Sequence, residues 1–202
     1  MYNFFQQKMS IYAVFSISDI EKEFPHFDKK NLVYWQKKGY IQKIRNNYYS
    51  FSTTPKDEAF LYLASNKIYS PSYISFESAL AYYNVIPEGV YTLTAVSTLK
   101  TNTFSTPLGN FTYKHLKPTL FFGYKLIRSQ TQLFKMAELE KTILDYMYLN
   151  HKLTSSDDFK ALRWNKEVLK QLNLNLLANY QILFNSKALN NRVTHFLTYL
   201  NA

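Results

Sequence analysis

The chain has 202 residues, enough for one or two domains, and its 47% hydrophobic content supplies the side chains for packed cores. With 24 Lys and Arg against 14 Asp and Glu, its net charge of +10 favours an anionic partner such as nucleic acid. The absence of cysteine excludes disulfides and thiolate zinc sites, and we find neither a signal-peptide pattern nor an apolar run long enough to span a membrane, so we expect a cytoplasmic globular protein with no membrane partner.

The first 25 residues predict two short helices. Phe5, Met9 and Tyr12 form one apolar stripe of the first helix. Ser18 precedes the acidic first turn of the second helix, which Pro25 ends because proline cannot continue a helix. We interpret this second helix as the first helix of a helix-turn-helix.

Residues 27–51 predict a recognition helix followed by a hairpin. Asp28 is suited to cap the helix, and Leu32 and Trp35 fall on one face at about 100° per residue. Gly39 ends the helix. Asn46 and the asparagine that follows it suit a two-residue turn between two β-prone runs, because asparagine tolerates positive φ.

The opposite face of this helix and the hairpin are rich in lysine. We expect Arg45 at the tip of the wing, the lysines on phosphates, and base contacts from Tyr34 and Asn31. The alternative is that the lysines only solvate the surface. The predicted DNA contacts are Lys29, Lys30, Asn31, Tyr34, Lys37, Lys38, Lys43, Arg45 and Asn46.

A boundary is expected at Ser52 to Pro55, which divides the chain into a winged helix-turn-helix domain (1–54) and a C-terminal α+β domain (55–202). Two helices open the second domain, one starting at Asp57 and one over residues 76–83. A small, mostly antiparallel sheet and a helical C-terminus should follow. The β-prone runs are 91–96, 110–113, 120–122, 125–128 and 132–135.

The region of this sheet carries cations but no acidic residue from 89 to 137. These cations predict a possible second basic surface, although they are equally typical of ordinary solubilising residues on different edges of a sheet. They are Lys100, Lys114, Lys117, Lys125, Arg128 and Lys135.

The C-terminal third predicts amphipathic helices. Leu139, Ile143 and Met147 mark the core side of one helix, with Lys141 and Asp145 expected on its outer side. Ser155 and Asp158 suit a capping box. The last helix has an apolar stripe at Leu189, Val193, Phe196, Leu197 and Leu200.

No catalytic motif is present in the sequence. The four histidines are scattered, and the sequence has neither a glycine-rich phosphate loop nor a nucleophile elbow. Glu138, Glu140 and Lys141 are the nearest match to a nuclease metal site, but we interpret them as a helix start. We therefore expect no enzyme activity, no metal and no cofactor.

Four motifs, in this order and spacing, resemble the antitoxin family of type IV abortive-infection (AbiE) toxin–antitoxin systems. The first is Leu32-x-x-Trp35-x-x-x-Gly39 with the Tyr-Ile pair after it, and the others are residues 74–83, 106–113 and 137–145. The resemblance extends to about residue 149. The family often has a proline before the glutamate of the last motif, where this chain has Met136-Ala137.

The resemblance implies a protein with two roles. It would repress its own operon by binding inverted repeats in double-stranded DNA, and it would counteract a separately encoded nucleotidyltransferase toxin without a required stable complex. Two alternatives stay open. One is a stand-alone winged-helix regulator with a ligand- or partner-binding C-terminal domain, and the other is a nucleic-acid enzyme.

Overall fold

The computed structural model describes residues 1–87, 89–129 and 132–202 and shows a mixed α+β fold, as predicted. The helices are α1 (Tyr2–Met9), α2 (Ile17–Glu23), α3 (Lys30–Lys37), α4 (Glu58–Ile68), α5 (Phe76–Tyr82), α6 (Leu139–Leu149), α7 (Ser156–Ala161), α8 (Lys166–Leu169), α9 (Leu174–Phe184) and α10 (Lys187–Asn201). The strands are β1 (Phe15–Ser16), β2 (Ile41–Arg45), β3 (Tyr48–Phe51), β4 (Ser72–Ile74), β5 (Thr92–Ser97), β6 (Asn102–Thr106), β7 (Gly109–His115), β8 (Tyr124–Ser129) and β9 (Gln132–Ala137).

Residues 2–51, which we call the head, combine α1, α2 and α3 with an antiparallel sheet in the order β1-β3-β2. Phe5 lies at the centre of the aromatic core, with its ring centroid 4.5 Å from that of Trp35 and 5.9 Å from that of Phe15. Aromatic rings bury large apolar areas, so a unit of this size gains a core of its own.

The start of α2 differs from the prediction, which placed Ser18 before the helix. The Ser16 hydroxyl accepts from the Asp19 amide at 3.1 Å, and the Asp19 carboxylate accepts from the Ser16 amide at 2.9 Å. This reciprocal capping box starts α2 at Ile17, so Ser18 lies inside the helix and is exposed.

The hairpin of β2 and β3 has the predicted two-residue turn. Arg45 pairs with Tyr48 across Asn46 and Asn47, and Asn47 has φ 69°. The register shifts between Lys43 and Arg45, which marks a bulge at the end of β2.

The second sheet is larger than predicted and mixed. In the described part of the chain it has six strands in the order β6-β7-β5-β4-β9-β8. The pairs β4–β5, β6–β7 and β8–β9 are antiparallel, whereas β5–β7 and β4–β9 are parallel. Strands β4 and β6 were not predicted. The predicted strand 120–122 is wrong, because Pro118–Leu120 forms a 3₁₀ turn.

Both faces of this sheet are covered at its central strands. Ile74 and Ala95 face a cluster beneath α4, whereas Tyr73 and Val96 face a cluster built with α6 and the C-terminal helices. A sheet covered on both sides is held in place by apolar packing from two layers. We call residues 58–201 the body.

Lys141 and Asp145 contradict the prediction that they lie on the outer side of α6. Both side chains are fully buried and form an ion pair within the helix. The Tyr73 hydroxyl donates to Asp145 at 2.9 Å, and the Ser75 hydroxyl donates to it at 3.0 Å. Both hydroxyls belong to residues in or next to β4, far from α6 in sequence. Because they form hydrogen bonds with the buried carboxylate, Lys141 and Asp145 can face inward.

The expected boundary at residue 54 falls between β3 and α4. In this segment the Lys56 ammonium donates to the carbonyl oxygens of Phe51 and Thr54 at 3.0 and 2.9 Å. Val14 and Ile44 of the head join the cluster beneath α4. The head therefore has its own core and also shares apolar contacts with the body.

Candidate nucleic-acid interface

The sequence of α3 fixes which of its sides is buried. The Asp28 carboxylate accepts from the Lys30 amide at 2.9 Å and so satisfies a free donor at the start of the helix. Leu32 and Trp35 are buried in the core of the head. Gly39 has φ 72°, a left-handed conformation that suits a helix end without strain only for glycine.

The opposite side of α3 faces outward. Lys30, Val33, Tyr34 and Lys37 occupy i, i+3, i+4 and i+7 positions of one stripe, and all four are exposed. Val33 retains 54% and Tyr34 55% of its accessible surface. Lys38 flanks the stripe, with its ammonium 5.7 Å from the centroid of the Tyr34 ring. We call Lys30, Val33, Tyr34, Lys37 and Lys38 the outward face of α3.

Val33 lies within this exposed stripe, between Lys30 and Lys37. Val33 is not part of the buried core of the head, although it is apolar. Its high exposure distinguishes it from the buried apolar residues Leu32 and Trp35 of the same helix. Apolar side chains on a recognition helix can contact the methyl group of thymine. The DNA contacts predicted from the sequence do not include Val33.

Two other predicted residues of the α3 region already have partners. The Lys29 ammonium lies 2.9 Å from the Glu21 carboxylate, and the Asn31 amide donates to the Asp28 carbonyl at 3.0 Å. The ion pair is exposed on both sides, and such pairs contribute about 0 to 1 kcal/mol, so a phosphate can replace Glu21.

Arg45 requires a correction. We expected it at the tip of the wing, but its guanidinium donates to the Ile68 carbonyl at 2.8 Å and lies 3.5 Å from the centroid of the Phe104 ring. Ile68 is the last residue of α4, where carbonyls lack helical partners and the helix dipole favours a cation. Arg45 therefore holds the hairpin to the body, whereas Lys43 and Asn46 stay exposed.

The charge on the outward face is not neutralised by neighbouring groups. In residues 1–87, 89–129 and 132–202, no ion pair joins a carboxylate to Lys30, Lys37, Lys38 or Lys43. Unpaired cations beside one another raise the local positive potential and attract anions.

The cations of the body do not form one surface. Lys114 lies on β7 near one edge of the six-stranded sheet, and its ammonium is 4.0 Å from the Glu77 carboxylate. Lys125 and Arg128 lie on β8 at the opposite edge, and their odd spacing directs them to opposite faces. Lys100 and Lys117 lie in exposed connections.

Lys135 lies on the same face as Arg128, because the register pairs it with Leu126 of the neighbouring strand. It lies on β9, with its ammonium 5.4 Å from the centroid of the Tyr124 ring. The possible second basic surface is thus divided by the strand order.

The two glutamates nearest to a nuclease pattern hold helices together. The Glu138 carboxylate accepts from the Tyr180 hydroxyl at 2.5 Å, and the Glu140 carboxylate accepts from the Asn173 amide at 2.8 Å. Burial, followed by the bond to Glu138, raises the pKa of Tyr180 to about 12. Among the described residues, no group of three or more His, Asp and Glu is arranged to hold a metal ion.

Comparison of the chain with known proteins finds no family model and no curated protein that matches it. In the described ranges of the chain, none of the helices has both the length and the apolarity needed to cross a membrane.

Proposed function

We propose that this protein is a winged-helix DNA-binding antitoxin that represses its own operon and counteracts a nucleotidyltransferase toxin in the cytoplasm. The observation that carries the DNA-binding part is the exposed outward face of α3, whose lysines form no ion pair within the described part of the chain, above a buried Leu32 and Trp35. The antitoxin part rests on the four motifs that resemble the type IV abortive-infection family.

The order of elements in the head supports the winged helix. A winged helix-turn-helix places two helices before a hairpin, and its second helix enters the major groove. Here α2 and α3 precede the hairpin of β2 and β3, and β1 completes the sheet. The α3 helix is therefore the candidate for the major groove.

The residues on α3 divide into two kinds of contact. Lys30, Lys37 and Lys38 would position the helix on phosphates, since an ammonium is a point charge without base preference. Tyr34 and Val33 would reach base edges, with Asn31 beside them at the start of the helix. Lys43 and Asn46 would contact the backbone next to the groove, whereas Arg45 is not proposed as a DNA contact.

Replacing Lys37 by alanine tests the phosphate contact. We expect Lys37→Ala to weaken binding to specific and to random duplex DNA about equally. It should also reduce the steepness with which the logarithm of the affinity falls with the logarithm of the salt concentration by roughly one unit. Fluorescence anisotropy over a salt series measures this. Lys187→Ala, an exposed lysine of α10, is the matched control. An unchanged slope for Lys37→Ala would count against the contact.

Co-expression tests the antitoxin role. The chain should restore growth to cells that express the nucleotidyltransferase encoded beside it. A full-length double variant, Lys30→Glu with Lys37→Glu, should still rescue growth but no longer bind operator DNA. Failure of the unchanged chain to rescue growth would reject the antitoxin role and leave DNA binding to be judged by anisotropy.

The second candidate is a stand-alone regulator that responds to a small molecule. A cavity of about 290 Å³ lies where head and body meet, between the end of α1, the segment after β3, and α4. Gln6, Ser10 and Thr54 supply polar groups there, and Phe60 and Phe134 supply apolar ones. Pockets between domains are common ligand sites. A neighbouring gene that does not encode a nucleotidyltransferase would favour this candidate.

A further inference from the structure

A second cavity, of about 220 Å³, opens among the C-terminal helices. It lies between the segment before α7 and the first half of α10, in the part of the chain for which the resemblance implies no role. It is lined by Leu153, Thr154, Ala188, Asn191, Arg192 and His195.

Arg192 is held in place at this cavity but keeps donors to spare. Its guanidinium donates to the Met147 carbonyl at 3.2 Å and contacts the His151 Nδ1 atom at 3.1 Å. A guanidinium has five N–H donors, so these two contacts leave others unused. In the described part of the chain, no ion pair links Arg192 to a carboxylate.

Two further side chains line the cavity beside Arg192. His195 follows it by three residues on α10, which places both on the same side of the helix, and Asn191 precedes it. Both residue types carry N–H donors. The side of α10 that faces the cavity is therefore rich in donors.

The Asp158 carboxylate, which bonds to the lining residue Thr154, belongs to the cap of α7. Asp158 accepts from the backbone amides of Thr154 and Ser155, each at 2.8 Å, and from their hydroxyls at 3.1 and 3.0 Å. These bonds, led by the Thr154 amide, lower the pKa of Asp158. These hydrogen bonds hold the Asp158 carboxylate at the cap of α7.

We propose that this cavity binds a phosphate group, either free phosphate or a small phosphate monoester. The planar fork of an arginine matches two oxygens of a phosphate, and the neighbouring Asn191 and His195 can donate to the others. Leu153 and Ala188 give the cavity an apolar wall. The volume exceeds that of one phosphate and leaves room for a short organic substituent.

The test measures binding to the full-length chain by calorimetry and by thermal unfolding at constant ionic strength. The probes are inorganic phosphate, glycerol 3-phosphate, acetate and chloride. We expect the two phosphates to bind and to raise the melting temperature above that in chloride. Tighter binding of glycerol 3-phosphate supports a monoester as the ligand, and tighter binding of inorganic phosphate supports the free ion.

Two variants and one control localise the site. Asn191→Asp places a negative charge at the cavity and should weaken phosphate binding by about tenfold or more. Asn179→Asp adds the same charge on the exposed side of α9 and should leave binding unchanged. Arg192→Gln should abolish phosphate binding. If Arg192→Gln does not fold, the affinity of Asn191→Asp for phosphate tests the site.

Three results would overturn the proposal. These are phosphate binding no stronger than that of chloride, equal binding of acetate and phosphate, or full phosphate affinity in Asn191→Asp. None of them bears on DNA binding by α3, because the cavity lies in the body.

Discussion

Lys141 and Asp145 are charged side chains that the fold has closed off from solvent. The Tyr73 hydroxyl accepts from the Lys141 ammonium at 2.8 Å and donates to the Asp145 carboxylate at 2.9 Å. Burial lowers the pKa of Lys141 and raises that of Asp145, and their mutual attraction opposes both shifts. The ion pair and the Tyr73 hydroxyl thus join β4 to α6 at a position that water does not reach.

Removing one member of this pair should be severe. We expect Asp145→Asn to reduce the free energy of unfolding by about 3 to 5 kcal/mol, because it leaves a buried ammonium without a countercharge. Urea unfolding followed by circular dichroism measures the loss. The double variant Lys141→Met with Asp145→Leu should lose less than Asp145→Asn alone. A larger loss in the double variant would show that the charges themselves stabilise the fold.

The same variant should show a distinctive pH dependence. Without Asp145 the pKa of Lys141 falls further below its ordinary value of 10.5. The unfolded chain then binds more protons than the folded one, so the stability of the variant rises with pH between the folded pKa and 10.5. We expect the difference in stability between this variant and the unchanged protein to shrink as the pH rises toward 10.5. A constant difference would contradict this.

At the scale of elements, capping decides where α2 begins. Ser16 and Asp19 exchange bonds at the start of the helix, whereas Ser18 lies inside it and is exposed. Ser16→Ala should therefore destabilise the protein by about 1 kcal/mol, whereas Ser18→Ala should change stability by less than about 0.5 kcal/mol. Thermal unfolding of both variants separates the two positions. The reverse order would contradict the role of Ser16 as the cap of α2.

The elements that sequence predicts best are those fixed by local signals. Helix α3 was predicted from the spacing of Leu32 and Trp35 and from the glycine that follows them. The turn of the hairpin was predicted from two consecutive asparagines. The mixed order of the second sheet did not follow from sequence, because β5 and β7 pair in parallel with β6 between them in the chain. Such pairing is chosen by non-local packing.

Side-chain direction was hardest to predict where a distant partner decides it. The inward position of Lys141 depends on Tyr73, which lies 68 residues earlier in the chain. The inward turn of Arg45 depends on Phe104 and on the carbonyl of Ile68. Neither partner can be recognised from helical or strand periodicity, since periodicity reports only local spacing.

At the scale of the whole molecule, Arg45 is the main polar attachment between head and body. Ile44 adds apolar contact, and the Lys67 ammonium lies 3.8 Å from the Asp19 carboxylate. Because these contacts come from different elements of the head, they restrain its rotation about the connecting segment.

Loss of this attachment should expose the connection. We expect Arg45→Ala to reduce the free energy of unfolding by about 1 to 3 kcal/mol, through the lost charged hydrogen bond and the lost contact with Phe104. Trypsin should then cleave faster after Lys56, whose ammonium is tied to nearby carbonyls in the intact protein. Arg128→Ala, at an exposed position on β8, is the control and should leave the cleavage rate unchanged.

For the DNA binding proposed here, the docked hairpin has a geometrical consequence when two copies occupy one duplex. A head on a loose tether would search for its groove independently, and the distance between the sites for two copies could vary. A hairpin anchored at the end of α4 transfers any tilt of that helix to α3. The spacing tolerated between paired binding sites should consequently be narrow and set by how the two bodies meet.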